Sequence, residues 1–165
     1  MMSLNLMIVK DSISSLNGIR HFYHLLVAPD DLYNPIVTDN FLFYKKGFQK
    51  TYTLHPKYFD SYDLSIAFLN KYISSKYKFS GKLLVEFLYK GEVISKKIAD
   101  QIITAGYVGS DTSEYKEIAL LTFEIPIIGK YKDNISVRIT VLEPDQELEK
   151  YRDFIMLQMA VSSTP

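Results

Sequence analysis

Two runs in which apolar residues alternate with others lie in the C-terminal half of the chain, on either side of the polar segment IGKYKDN. The first run is KEIALLTFEIPI, beginning at Lys116, and the second is ISVRITVLE, ending at Glu143. Apolar residues at every second position place one face of an extended chain against a core. The runs therefore predict two half-buried strands, which either pair directly or cross between two sheets.

Pro126 lies inside the first run. Because proline has no backbone N–H to donate, it is confined to sheet edges, strand ends and bulges. The first strand is therefore expected to lie at an edge, or to end or bulge near Pro126.

Further strands are predicted wherever alternation recurs between turn residues. These segments are 36–44, 48–54, 62–68, 82–90 and 154–161. Residues 19–28 fit either a strand or a helix, and their branched and aromatic content favours a strand. Within 92–103, isoleucines at every fourth position favour a short amphipathic helix over a competing pair of short strands. Residues 145–153 fit either one helical turn or a solvated loop.

Short, regularly spaced strands of this number predict a mainly β chain: an antiparallel two-sheet sandwich with one or two short helices, or alternatively a barrel. A length of 165 residues suits one domain, in which residues 1–18 form a loosely packed N-terminal extension. The chain contains no cysteine, which excludes disulfide frameworks, thiolate zinc sites and cysteine nucleophiles.

The formal net charge is zero, which argues against general nucleic-acid binding, because that requires an excess of cations. The charges are nevertheless unevenly distributed along the chain. Residues 41–97 hold eleven lysines and four carboxylates, whereas residues 98–165 and 1–40 are net negative. If the segments intermix in a sandwich the charges alternate over the surface, and this mixed arrangement is the one we expect.

No motif for catalysis or cofactor binding is present. There is no GxSxG elbow, HExxH pair or phosphate-binding glycine loop, and His21, His24 and His55 lack the spacing of a metal site. The paired loop aspartates match no calcium site and suit solvated turns. We therefore predict that the chain is not an enzyme and uses no cofactor.

No apolar run approaches the roughly 18 residues that a membrane-spanning helix needs, so no membrane span is predicted. The N-terminus lacks the positive start and long apolar core of a secretory signal. The chain is therefore expected in the cytoplasm, or in the periplasm if an export signal has been removed.

Two polar segments rich in tyrosine are candidates for binding a protein partner, since tyrosine gives large contact area at low entropic cost. The first belongs to the basic and aromatic stretch 70–82, and the second to the acidic stretch 107–115. The candidate contact residues are Lys76, Tyr77, Lys78, Phe79, Tyr107, Asp111, Glu114 and Tyr115. The alternative is a sandwich that binds a small ligand or carbohydrate through exposed tyrosines.

The segments YDLSIAFLN (62–70) and LTFEIPIIGKYKDNISVRITV (121–141) resemble strands of small bacterial immunoglobulin-like sandwich proteins. Some members of that group are immunity proteins against toxins delivered by contact-dependent secretion. The resemblance implies an immunoglobulin-like sandwich that occludes a cognate toxin, and it transfers no individual binding residues.

Overall fold

Alternating apolar segments form nine strands in the parts of the chain that the structure describes. The structure is a computed structural model, and it describes residues 30–58, 60–69, 77–108, 115–125 and 135–162, with the backbone alone for 106–108 and 115. The strands are β1 (Val37–Asp39), β2 (Gln49–Thr53), β3 (Ser61–Phe68), β4 (Lys82–Tyr89), β5 (Glu92–Ala99), β6 (Thr104–Val108), β7 (Tyr115–Glu124), β8 (Ile135–Glu143) and β9 (Ile155–Val161). The ambiguous segment 19–28 and the proposed extension 1–18 lie outside the described residues.

The strands form two antiparallel sheets that pack face to face. One sheet has five strands in the order β1-β9-β3-β7-β6, and the other has four in the order β2-β8-β4-β5. One short 3₁₀ helix, Gln146–Tyr151, precedes β9. The predicted mainly β, two-sheet antiparallel sandwich is therefore confirmed.

The inner faces of the two sheets supply the core. In β3 the alternate residues Tyr62, Leu64, Ile66 and Phe68 are all buried, and in β8 the same holds for Ile135, Val137, Ile139 and Val141. Burying a side chain of this size contributes roughly 1.5–3 kcal/mol relative to leaving it exposed. The apolar core to which both strand faces contribute, rather than strand propensity, therefore holds the sheets together.

The two C-terminal runs do not form a hairpin. β7 belongs to the five-stranded sheet and β8 to the four-stranded sheet, so the chain crosses between the sheets. β7 also lies between β3 and β6 rather than at an edge, but it ends at Glu124, two residues before Pro126. The strand therefore ends near Pro126, which is one of the predicted options.

A β-bulge interrupts the alternation of β7. Leu64 pairs with Leu121, and the next residue, Ser65, pairs with Ala119, so that Leu120 is the additional residue. Because Leu64 and Ser65 point to opposite faces, Leu121 and Ala119 also do. Ala119 and Leu121, which uninterrupted alternation would place on one face, therefore lie on opposite faces because of the bulge.

The helix predicted within 92–103 is wrong, and the competing pair of short strands is right in type but not in number, because one strand covers most of the segment. Glu92–Ala99 forms β5, and the next strand begins at Thr104. Residues four apart lie on the same face of a helix and also on the same face of a strand. The spacing of Ile94 and Ile98 therefore could not distinguish a helix from a strand. The segment forms a strand because it pairs with β4.

The structure revises one smaller prediction and decides between the two alternatives for another segment. The strand expected over 36–44 is limited to Val37–Asp39, because the chain turns at 40–47 to bury Phe41 and Phe43 in edge-to-face contact. Residues 146–151 form the 3₁₀ helix, in which Leu148 is fully buried, so this segment is not a solvated loop.

A two-residue turn, Lys90-Gly91, joins β4 to β5. Tyr89 pairs with Glu92 across it, and both turn residues have positive φ, 52° at Lys90 and 87° at Gly91. Hairpin turns of type I′ require positive φ at both central positions, because their twist matches that of the strands. This turn is what directs β5 back along β4 to the edge of the sheet.

We expect Gly91→Ala to lower the free energy of unfolding by about 1–2 kcal/mol, because a left-handed conformation is costly for a residue with a Cβ. A Cβ at this position would meet no atom within 4 Å, so the loss comes from the backbone alone. Urea denaturation measures it. Lys90→Ala is the control, since Lys90 already bears this cost; equal losses in both variants would contradict the turn geometry.

Candidate functional site

The candidate contact residues of the acidic stretch are only partly within the described residues. Asp111 and Glu114 lie outside them. Tyr107 belongs to β6 and Tyr115 to β7, two strands that pair with each other. These two residues are therefore positions in a sheet rather than in a loop.

The basic and aromatic stretch is described from residue 77 onward, so Lys76 lies outside. Tyr77 and Phe79 are buried in the core, whereas Lys78 between them is exposed. In this structure the two aromatic side chains fill the core, and a partner contact at this position would rest on Lys78.

Asp145 is the reason why this stretch packs inward. Its carboxylate is fully buried and accepts hydrogen bonds from the Tyr77 hydroxyl at 2.7 Å and the Ser80 backbone N–H at 2.9 Å. Its second oxygen accepts from the N–H of Glu147 at 3.0 Å and caps the 3₁₀ helix. Burial and then the bond to Asp145 raise the pKa of Tyr77 well above its usual value, so the hydroxyl remains a donor.

The outer face of the five-stranded sheet carries a second polar cluster. The two oxygens of Asp63 accept hydrogen bonds from the hydroxyls of Thr122, at 2.6 Å, and Ser162, at 2.7 Å. Both carboxylate oxygens are thus paired, which is how a buried acid is accommodated. This arrangement accounts for the cluster as part of the scaffold.

Charge is divided between the two sheets. The strands of the four-stranded sheet carry five cations and three carboxylates, whereas those of the five-stranded sheet carry one lysine and four carboxylates. The expectation that charges would mix evenly is wrong at the level of the sheets. The cause is the strand order, which places three of the four strands drawn from residues 41–97 in the same sheet.

An ion-pair network joins three strands of the four-stranded sheet. Glu86 on β4 lies between Arg138 on β8, at 2.7 Å, and Lys96 on β5, at 2.9 Å. The hydrogen bond from Arg138, followed by that from Lys96, lowers the pKa of Glu86. The network ties three neighbouring strands together.

Exposed apolar side chains are concentrated on β5. This strand lies at the edge of the four-stranded sheet, and Val93, Ile94 and Ile98 are 38%, 44% and 45% exposed. Lys96 and Lys97 lie between them. We refer to these five residues as the β5 surface. A cluster of exposed branched side chains on one edge is a feature of interaction sites, whereas isolated ones are common on any surface.

A cleft of about 130 Å³ lies beside β5, on the open side of the sandwich. Its walls are mainly apolar, and three polar residues, Ser95, Lys97 and Glu124, line it together with Phe87, Ile94, Phe123, Ile125 and Ile135. A cavity of about 150 Å³ with such walls accepts benzene. The cleft is therefore large enough for one apolar side chain.

Sequence reasoning missed the β5 surface because 92–103 was assigned to a helix. The signal that could have found it is Gly91 after a strand, since a glycine between two runs of branched residues indicates a tight hairpin turn. The exposure of the strand could not be seen, because it depends on the order of strands in the sheet.

A metal-binding cluster and a membrane-spanning helix are both absent from the described residues. These residues include no group of three or more histidines, aspartates or glutamates that could hold a metal ion. No helix in the described part of the chain is long and apolar enough to span a membrane.

We expect Tyr77→Phe to lower the free energy of unfolding by roughly 1.5–3 kcal/mol, because a buried carboxylate loses a donor. Chemical denaturation of both proteins measures this. Tyr33→Phe is the control, since Tyr33 is 45% exposed. Equal stability of the two variants would show that the bond to Asp145 contributes nothing.

We expect Glu86→Gln to lower stability at pH 7 and to lose that effect in acid. The folded pKa of Glu86 lies below its ordinary value of 4.5, so its ion pairs stabilise fully above about that pH. Their contribution disappears as the pH falls through the lowered pKa. Urea denaturation from pH 7 to pH 3 should show the difference between wild type and variant shrinking. The exposed Glu149→Gln is the control, and a pH-independent difference would contradict the assignment.

Comparisons with protein-family models, curated proteins and solved structures give no match. The resemblance to immunoglobulin-like immunity proteins therefore stays a prediction, and functional argument rests on the geometry.

Proposed function

We propose that this chain is a non-catalytic protein-binding module and that the β5 surface is its contact region. The observation that carries the proposal is the row of exposed apolar side chains at 93, 94 and 98, interrupted by two lysines, on an edge strand. Interfaces combine an apolar centre with polar groups that exclude wrong partners. The β5 surface has both components within eight residues.

The dimensions of the cleft favour a protein partner over a free small molecule. Pockets for drug-sized ligands usually enclose about 300–1,000 Å³. At about 130 Å³, the cleft beside β5 suits a single side chain of a larger partner. The small-ligand and carbohydrate alternatives gain no support from a described feature.

The partner that we propose is the catalytic domain of a cognate bacterial toxin, which an immunoglobulin-like module would block by occlusion. This part rests on the resemblance of residues 62–70 and 121–141 to immunity proteins. The excess of cations on the four-stranded sheet supports a contact region of acidic character on that partner. Lys78, which is exposed, stays a candidate for an additional contact.

We expect co-expression with the product of the adjacent gene to give a complex that survives pull-down and to restore growth when that product is toxic. Ile94→Glu combined with Ile98→Glu should weaken capture at least tenfold, because two charges would enter an apolar contact. Phe154→Glu is the matched control, since Phe154 is 46% exposed and lies outside the β5 surface.

The outcomes separate the parts of the proposal. Failure of the wild type to bind or to restore growth would sink the toxin assignment. Binding that the double variant retains would keep the module and place its contact region elsewhere.

A further inference from the structure

One side of β5 has no strand partner among the described residues. β5 pairs with β4 and forms the edge of the sheet, and residues 92–98 are all exposed. Alternate backbone N–H and C=O groups of such an edge strand point away from its neighbour and can pair with another chain. The spacing of these groups along β5 restricts which chain can do so.

A β-bulge changes that spacing in the middle of β5. On β4, Leu88 and Glu86 lie two residues apart. Their partners on β5, Val93 and Lys96, lie three residues apart, because Ile94 is an additional residue. The two partners hold equivalent positions in the ladder, so their backbone groups point to the same side of the strand. A regular strand, with equivalent groups at every second residue, therefore matches β5 on only one side of the bulge.

A second copy of β5 matches this spacing across the bulge. Antiparallel pairing that sets Val93 opposite Lys96 of the second copy gives an interval of three residues on both strands. The two-fold symmetry of such a dimer repeats the match, because Lys96 then lies opposite Val93 of the second copy. The feature that hinders an ordinary strand thus selects an identical one.

The same register brings opposite charges together. It places Glu92 opposite Lys97 of the second copy and, by symmetry, Lys97 opposite the other Glu92. The two side chains lie on one face of β5, because their partners on β4, Tyr89 and Val85, are four residues apart. Opposite charges directly across an antiparallel pair stabilise it, and in this register no lysine lies opposite another lysine.

Both charged groups are available for these contacts. Neither Glu92 nor Lys97 forms an ion pair among the described residues. The Lys97 ammonium lies 3.5 Å from the Thr122 carbonyl oxygen, and Glu124 lines the same cleft without forming an ion pair with it. The dimer would therefore add two ion pairs without breaking one.

We infer that two copies of this chain pair antiparallel through β5, with Val93 opposite Lys96 and Glu92 opposite Lys97, so that their four-stranded sheets join into one sheet of eight strands. Main-chain hydrogen bonds would supply most of the affinity, as in other cases of strand addition. The bulge and the two reciprocal charge pairs would supply the specificity for a second copy.

The inference goes beyond the proposed function, because this dimer forms without the partner. Val93 and Ile98 pair with Leu88 and Leu84, which alternate with the core residues of β4 and so lie on its outer face. The same two side chains of β5 therefore stay on the outer face of the joined sheet. The dimer would set two β5 surfaces side by side for a partner to contact.

Sedimentation velocity over a range of protein concentrations tests the dimer. We expect the wild-type chain to dimerise as its concentration rises. Glu92→Lys and Lys97→Glu should each weaken the dimer at least tenfold, because both cross-strand charge pairs become repulsive. Glu149→Lys and Lys45→Glu are the matched controls, because they make the same charge changes at exposed positions away from β5.

An equimolar mixture of Glu92→Lys and Lys97→Glu tests the register. In a mixed dimer one chain carries lysine at both positions and the other carries glutamate at both, so both pairs are attractive again. We expect the mixture to dimerise about as strongly as the wild type. A mixture that stays monomeric would show that these residues do not face each other, and the inference would fail.

Amide hydrogen exchange followed by NMR locates the contact. Alternate amides of β5 should gain protection as the dimer forms, and Lys97→Glu should lose that protection. A wild-type chain that stays monomeric, or a dimer that leaves β5 unprotected, would overturn the inference.

The outcomes also separate the dimer from the proposed function. If the wild type dimerises through β5 but does not capture the product of the adjacent gene, the dimer stands and the toxin assignment fails. If β5 gains protection only when that product is added, β5 takes a strand of another protein and the dimer is wrong.

Discussion

The packing of the inner faces of the two sheets is the interaction on which the other features depend, and β3 and β8 are internal strands that contribute to those faces. Each strand presents four consecutive alternate residues to the core, and each has a strand of its own sheet on both sides. Because the inner faces bury most of the apolar surface, the residues on the outer faces and edges do not have to be apolar. Charged and exposed apolar residues can then lie on the surfaces that solvent reaches.

The two sheets differ in the charged and apolar residues that they carry outside the core. The five-stranded sheet holds acidic groups, and the paired carboxylate of Asp63 lies buried among hydroxyls. The four-stranded sheet has an excess of cations and ends in a strand with little buried surface. The two sheets thereby differ in what they expose: one has a buried, fully hydrogen-bonded carboxylate on its outer face, and the other has exposed apolar side chains at its edge.

Sequence reasoning could predict the strands whose alternation has only one explanation. β3, β4, β8 and β9 were found because their inner residues are branched or aromatic at every second position. Sequence reasoning failed where a helix and a strand place the same residues on one face. Ile94 and Ile98, which lie four residues apart, are such a case. Sequence reasoning also assigned Tyr77 to the surface, because its burial depends on Asp145, which is 68 residues distant in sequence. Tertiary contacts of that kind leave no local pattern.

The strand order also affects which strands can pair early in folding and which must wait for later parts of the chain. The neighbours of Tyr62 in the five-stranded sheet are Phe123 and Val161, which follow far later in the chain. Closing such long loops before any contact is formed slows the folding of β proteins. During synthesis β3 must wait for β9, and the hairpin of β4 and β5 can form first. β5, an edge strand, is thus among the earliest strands able to pair. The growing chain can therefore form this sheet edge before its core has closed.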